Sequence, residues 1–129
     1  QTLTIMKKVI CSQQAPGAIG PYSQAIEAGG MVFVSGQLPI DAATGMMAEG
    51  AEAQARQSLE NIKHILEEAG LSMANIVKTT VFLADMSLFA DMNKVYATYF
   101  DGAFPARSAV AVKALPKDAL GEIACIAVR

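Results

Sequence analysis

The chain has 129 residues, 53% of them apolar, with no tryptophan and 6% aromatics. That length suits one domain, which buries roughly two thirds of the surface its unfolded chain exposes, around a core of small and aliphatic side chains. A formal charge of -2, a pI near 5.3 and dispersed lysines give no basic stripe of the kind that neutralises phosphate backbones, which argues against nucleic acid as a primary partner.

The first predicted strand covers 7–11 and leads into a loop at 15–21 rich in Gly and Pro. Strands over 22–28 and 31–36 flank Gly29-Gly30, whose tolerance of positive φ suits a hairpin turn. A further turn falls at 41–45. From 51 to 69 apolar residues recur at Ala55, Leu59, Ile62, Leu66 and Ala69 with charges on the other faces, which predicts an amphipathic helix stopped by Gly70. A β-branched run predicts a strand at 76–83. A second helix is predicted over 88–100, capped by Asp85 or Ser87 and stopped near Asp101-Gly102. Strands at 106–112 and 122–128 follow, joined through Leu115-Pro116-Lys117-Asp118.

The order βββαβαββ makes an α+β domain: one mixed sheet with two helices on one face. Strands such as 31–34 and 123–128 are apolar at consecutive positions, so both sheet faces call for cover. Two helices cover only one, and other copies of the chain are the expected cover for the second, which predicts a homo-oligomer.

With two cysteines, Cys11 and Cys125, and His64 as the single histidine, no Cys/His set of three or four metal ligands can form. One disulfide is open to the two cysteines. Nothing before Lys7-Lys8 resembles a signal peptide and no apolar run approaches about 18 residues, so a reducing cytoplasm and no membrane are expected. Met6-Lys7-Lys8 reads as a natural start, which makes residues 1–5 a candidate vector-derived or disordered extension and 6–129 the domain.

Two charges stand inside apolar strands: Arg107 in Pro105-Ala106-Arg107-Ser108-Ala109-Val110 and Glu122 in Gly121-Glu122-Ile123-Ala124. An unpaired buried charge costs several kcal/mol, so each needs a partner, a ligand or solvent. A structural ion pair between them, or exposure on edge strands, is the plain alternative to function. Arg56 lies in a helical pattern and Arg129 ends the chain, which leaves Arg107 as the candidate anion-binding group. Tyr22 follows a rigid loop and either offers its hydroxyl to a cleft or packs at an edge. Asn93 lies on the second helix between apolar faces, where a solvated polar residue is the plain reading, and Gly36, after Ser35, either admits close backbone approach to a ligand or marks a bulge. Gly17-Ala18-Ile19-Gly20 has GxxG spacing without basic residues and reads as a turn; no phosphate-binding glycine loop is present. His64, mid-helix beside Lys63 and Glu67, reads as a partly exposed surface residue.

Five segments in order, 17–25 (Gly-Ala-Ile-Gly-Pro-Tyr-Ser-Gln-Ala), 34–37 (Val-Ser-Gly-Gln), 92–96 (Met-Asn-Lys-Val-Tyr), 105–108 (Pro-Ala-Arg-Ser) and 115–118 (Leu-Pro-Lys-Asp), together resemble the RidA family, also called YjgF. The resemblance spans nearly the whole chain from Met6. It implies a chorismate mutase-like fold, a homotrimer with clefts at subunit interfaces, and hydrolysis of reactive 2-imino or enamine acids, chiefly 2-iminobutanoate and 2-iminopropanoate, to 2-oxo acids and ammonia. Such substrates leave pyridoxal-phosphate-dependent dehydratases. Carried onto this chain, the resemblance implies that Arg107 clamps the substrate carboxylate, Glu122 orients or activates water, the backbone at Ala109 helps hold that water, Ser35 and Gly36 line the pocket, and Tyr22 and Asn93 complete the interface, with no metal or cofactor required. The chain departs from the family pattern at Ala109, where cysteine is common, and at Gly121, where an aliphatic residue is common. A non-catalytic module sensing 2-oxo or amino acids, a chaperone-like or ribonuclease-like interaction protein and, by fold analogy alone, a chorismate mutase are the competing readings.

Overall fold

The computed structural model describes residues 6–129; the candidate extension at 1–5 lies outside the described residues. Six strands, β1 (Lys8–Ile10), β2 (Ala25–Ala28), β3 (Met31–Gln37), β4 (Ile76–Leu83), β5 (Ala106–Ala111) and β6 (Gly121–Val128), form one sheet in the order β1-β2-β3-β6-β4-β5. Only β4 and β5 pair in parallel, joined through the second helix; every other pair is antiparallel. Helices α1 (Ala51–Glu68) and α2 (Phe89–Tyr96) complete the expected βββαβαββ order.

Local chemistry explains the boundaries. Gly29 and Gly30 take φ of 58° and 77° and close the β2–β3 hairpin between the paired residues Ala28 and Met31. At the end of α1, Gly70 (φ 76°) donates its N–H to Glu67 O while Leu71 N–H reaches Leu66 O, satisfying two of the last carbonyls. The second helix differs from the expectation of 88–100. A single 3₁₀ turn, Met86–Leu88, enters it with Asp85 accepting from Ser87 N–H at 2.8 Å; regular α-helix ends at Tyr96, and Ala97–Tyr99 continues as 3₁₀. Helix ends commonly tighten in this way, and periodicity does not distinguish the two forms over three residues.

The core lies between the helices and one face of the sheet. Leu59, Ile62, Ile65 and Leu66 of α1 and Met92 and Val95 of α2 meet Val32, Val34, Val81, Leu83, Ile123, Cys125 and Ala127. On the other face the register aligns Val9, Ile26, Phe33 and Ile126 across four strands, and Val9 and Phe33 remain 58% and 42% exposed. This is the uncovered apolar face that the consecutive apolar residues anticipate. The strand carrying Arg107 corrects the picture of a charge buried in an apolar strand: β5 is the sheet edge, and Ala106, Arg107, Ser108, Val110 and Ala111 are all exposed. Its apolar sequence reflects an unpaired edge, which only pairing order reveals.

Both cysteines are free, Cys11 exposed and Cys125 buried, so a disulfide between them is not formed. No helix among the described residues is long and apolar enough to cross a membrane.

Candidate active site

Strand register assigns each site residue to a face. Residues 79, 81 and 83 of β4 point into the core, so 80 and 82 point the other way. Arg107 pairs with Thr79 and Ala109 with Val81, which puts both on the helix side; Glu122 pairs with Phe82, on the opposite side. Arg107 and Glu122 therefore flank β4 on different strands and different faces. They make no ion pair, and among the described residues the salt bridges are Lys94–Glu52 and Arg129–Glu27. The structural ion-pair alternative is excluded within one protomer.

On the helix side, α2 brings Phe89, Asn93 and Tyr96 to Arg107, a spacing of four and then three residues that defines one stripe of a helix. Arg107 Nη1 donates to Asn93 Oδ1 at 2.6 Å, and the guanidinium carbon lies 5.2 Å from the Phe89 ring centroid and 4.8 Å from that of Tyr96. The Tyr96 hydroxyl is 2.7 Å from Thr79 Oγ1, and burial pushes it above the usual tyrosine value against the opposing pull of Thr79 and Arg107. Asn93, Tyr96, Ala97, Phe104, Pro105 and Arg107 line an open groove of about 410 Å³. Among the described residues no carboxylate pairs with the guanidinium, and its N–H groups other than the one given to Asn93 have no hydrogen-bond partner, which suits them to an anion. Ala109 lies beyond this groove, partly buried against the core.

On the opposite side a groove of about 630 Å³ runs past Tyr22, Ser35, Gly36, Lys117 and Glu122, with Ile19, Leu38 and Ile40 as its apolar wall. Gly36 sits where the β3–β6 register shifts between Val34 and Gln37, and the bulge brings its backbone against Glu122. Gly36 marks a bulge, and the group that approaches it closely is the Glu122 side chain. Burial raises the Glu122 carboxyl above the ordinary carboxylate range. Ser35 lines the groove, but its hydroxyl is committed to Ser23 O at 2.6 Å and so anchors the segment just after Tyr22. Tyr22 is 52% exposed, which favours the cleft over edge packing.

Several positioning residues escaped the sequence reading because their partners are distant in the chain. Gln24, buried, donates to Ser12 O and Pro16 O and accepts from Ser12 N–H, stapling the loop that precedes Tyr22. Asn61 of α1 donates to Leu38 O and Ile40 O and fixes the apolar wall. Lys117 and Asp118 both adopt the left-handed region, with φ of 57° and 56°, in the turn beside Glu122. Polar residues at buried helical positions were the available signal for Asn61. His64 is half-buried in α1 with Nδ1 3.2 Å from Gln14 O, and it lines neither groove. Among the described residues no three His, Cys, Asp or Glu side chains gather to hold a metal.

A family model described as Endoribonuclease L-PSP matches residues 12–129. The chain belongs to this family, the YjgF/RidA family. It is 54% identical over 127 residues to the 2-iminobutanoate/2-iminopropanoate deaminase of Salmonella typhimurium, an alignment covering 96% of this chain and 99% of that one. The structure of Escherichia coli TdcF with bound serine superposes with a TM-score of 0.92 at 50% identity, covering 95% of this chain and 98% of that one. RidA from an Antarctic Psychrobacter superposes equally well, with a TM-score of 0.92 at 45% identity and coverage of 95% and 99%. These RidA-family neighbours have the same α+β fold, a mixed sheet with two helices.

Proposed function

We propose that this chain hydrolyses reactive 2-imino acids to 2-oxo acids and ammonia, in clefts formed between copies of itself, with Arg107 holding the substrate carboxylate and Glu122 managing the attacking water. The observation that carries the reading is the opposite-face placement of a carboxylate-free arginine fork and a desolvated carboxyl. No small substrate reaches both within one protomer. A cleft between two copies unites them if the Arg107 edge of one meets the Glu122 face of the next, and the uncovered row Val9, Ile26, Phe33 and Ile126 supplies the apolar area such an interface requires. A homotrimer satisfies this geometry with three equivalent clefts.

The chemistry follows from the two groups. The free N–H groups of Arg107 grip the carboxylate of the imino acid, which orients the imine carbon toward the Glu122 side. Water adds to the protonated imine carbon and loses a proton, giving a carbinolamine. Proton transfer to its nitrogen lets the C–N bond break, leaving the ketone and ammonia. A carboxyl with a raised pKa both accepts and returns a proton closer to neutral pH than an ordinary glutamate, which is the task this sequence sets. The backbone carbonyl at Ala109 and the Tyr22 hydroxyl are proposed to hold the water and close the cleft. Imines released by pyridoxal-phosphate-dependent dehydratases are the proposed source of substrate. Imine deamination is the activity named for the Salmonella relative.

The serine bound to TdcF favours a second reading, in which the clefts hold amino or 2-oxo acids without turnover. One experiment separates the two. Imine released by a threonine dehydratase is trapped as semicarbazone with and without this protein, and the protein's mass is measured by sedimentation equilibrium in parallel. Hydrolysis predicts less trapped adduct and an assembly three times the mass of the chain. Unchanged trapping by an assembled protein supports the binder; a monomer at micromolar concentration removes the interface cleft.

A further inference from the structure

Arg107 is an exposed side chain on an exposed edge strand, yet its guanidinium lies close to three side chains of one helical stripe. Asn93 takes one N–H, and the Phe89 and Tyr96 rings lie 5.2 and 4.8 Å from the guanidinium carbon, both inside the roughly 6 Å range of cation–π attraction. Tyr96 is itself tied down: its hydroxyl is 2.7 Å from Thr79 Oγ1, and Thr79 is fully buried directly opposite Arg107 in the parallel β4–β5 register. The chain of contacts runs from strand to ring to guanidinium and returns to the neighbouring strand position. A long side chain without such a frame occupies many rotamers, and a carboxylate must then select one of them on binding.

We propose that Phe89 and Tyr96 are positioning residues that fix the plane of the Arg107 guanidinium, so that the N–H groups not taken by Asn93 are aimed at the substrate carboxylate before it arrives. The inference rests on Arg107 as the carboxylate clamp and names the residues through which that clamp gains its orientation. Asn93 fixes one corner of the fork, and the rings restrict its tilt. Their contribution belongs to binding: they leave the Glu122 side untouched and lower KM more than they raise kcat.

The test uses the full chain with enzymatically generated 2-iminobutanoate. Phe89→Leu and Phe89→Met remove the π face while keeping apolar volume against the core, and Phe89→Tyr restores the face; two truncations are made so that a folding defect in one leaves the other to decide. Each truncation is expected to lower kcat/KM by roughly three- to thirtyfold, mainly through KM, with Phe89→Tyr near the parent. In an Arg107→Ala background the same truncations are expected to add no further loss, because the rings act through the guanidinium. An activity-independent readout is the Arg107 Nε–H proton resonance, which the ring currents displace and which Phe89→Leu is expected to move. Equal losses in Phe89→Leu and Phe89→Tyr, or the same loss with and without Arg107, would show a structural role and overturn the proposal. Parental kcat/KM in Phe89→Leu, with Arg107→Ala impaired, overturns the positioning role and leaves the clamp standing. Parental kcat/KM in Arg107→Ala itself removes the clamp, and the positioning role with it.

Discussion

A Cβ built on Gly36 collides with Oε2 of Glu122 and stands 2.9 Å from its Cδ, so the carboxyl occupies the space that glycine leaves vacant. The φ of Gly36 is not in the left-handed region, which means that packing against Glu122, and not backbone conformation, requires glycine here. Gly36→Ala is expected to fold, because the Glu122 side chain can swing aside, and to lose about a hundredfold in kcat, the scale of a 1 Å misplacement of a reacting group. Parental kcat by the trapping assay would detach the Glu122 position from catalysis.

Arg107→Lys keeps the charge and discards the planar fork that Asn93 holds at 2.6 Å. Losing one charge-assisted contact costs about 1.5 to 3 kcal/mol, or roughly ten- to a hundredfold in kcat/KM. The expected result is that loss with the assembly intact by sedimentation; a lysine variant as active as the parent assigns Arg107 a structural role.

Glu122→Gln is expected to bind 2-oxo acids and lose turnover, and also to alter stability with a defined sign. Burial raises the Glu122 pKa in the folded protein above its unfolded value, so the native state holds more protons through the interval between the two. The parent therefore loses stability as pH rises through that interval, and above it the full penalty of a desolvated carboxylate is present. Glutamine removes the penalty. Melting curves should show the variant more stable than the parent at neutral pH, with the advantage shrinking to nothing below the unfolded carboxylate value. An advantage independent of pH would trace the gain to something other than the charge.

The cysteine-free variant Cys11→Ser/Cys125→Ala is expected to retain imine hydrolysis. Burial pushes the Cys125 thiol up to about 12, which leaves no thiolate near neutrality, and Cys125 faces the core, away from both grooves. Ala109 offers no thiol either. Removing the Cys125 sulfur leaves a small void and costs about 1 kcal/mol. A folded variant without turnover would refute a thiol-independent mechanism.

Gly121→Ala should stabilise the protein by about 0.5 to 1 kcal/mol, by reducing the freedom of the unfolded chain. The added Cβ meets Phe82 O at 3.5 Å and Leu83 Cδ2 at 3.6 Å, ordinary van der Waals contacts, at a position without positive φ. A higher urea midpoint at unchanged slope, with unchanged kcat, would show that the glycine before Glu122 is not needed to aim it. A lower midpoint would show that the strand end cannot accept a side chain.

The sequence by itself determined what depends on neighbouring residues. Periodicity over 51–69 gave α1 and Gly70 its end; Gly29-Gly30 gave the hairpin; and the order of five short motifs carried the family. It also named Arg107, Glu122, Tyr22, Ser35, Gly36 and Asn93 as candidates, and Arg107 with Asn93 and Glu122 with Gly36 do meet. The division of those candidates between two faces was decided only by tertiary structure, because a side chain's face depends on strand order and register, including the shift between Val34 and Gln37. Edge position was likewise non-local: Arg107 is exposed because β5 has no outer neighbour, while the similarly apolar β6 is enclosed between β3 and β4. The stripe Phe89, Asn93 and Tyr96 was present in the helical spacing, but its meaning came from the crossover that lays α2 beside β5 and turns a solvated asparagine into the partner of an arginine.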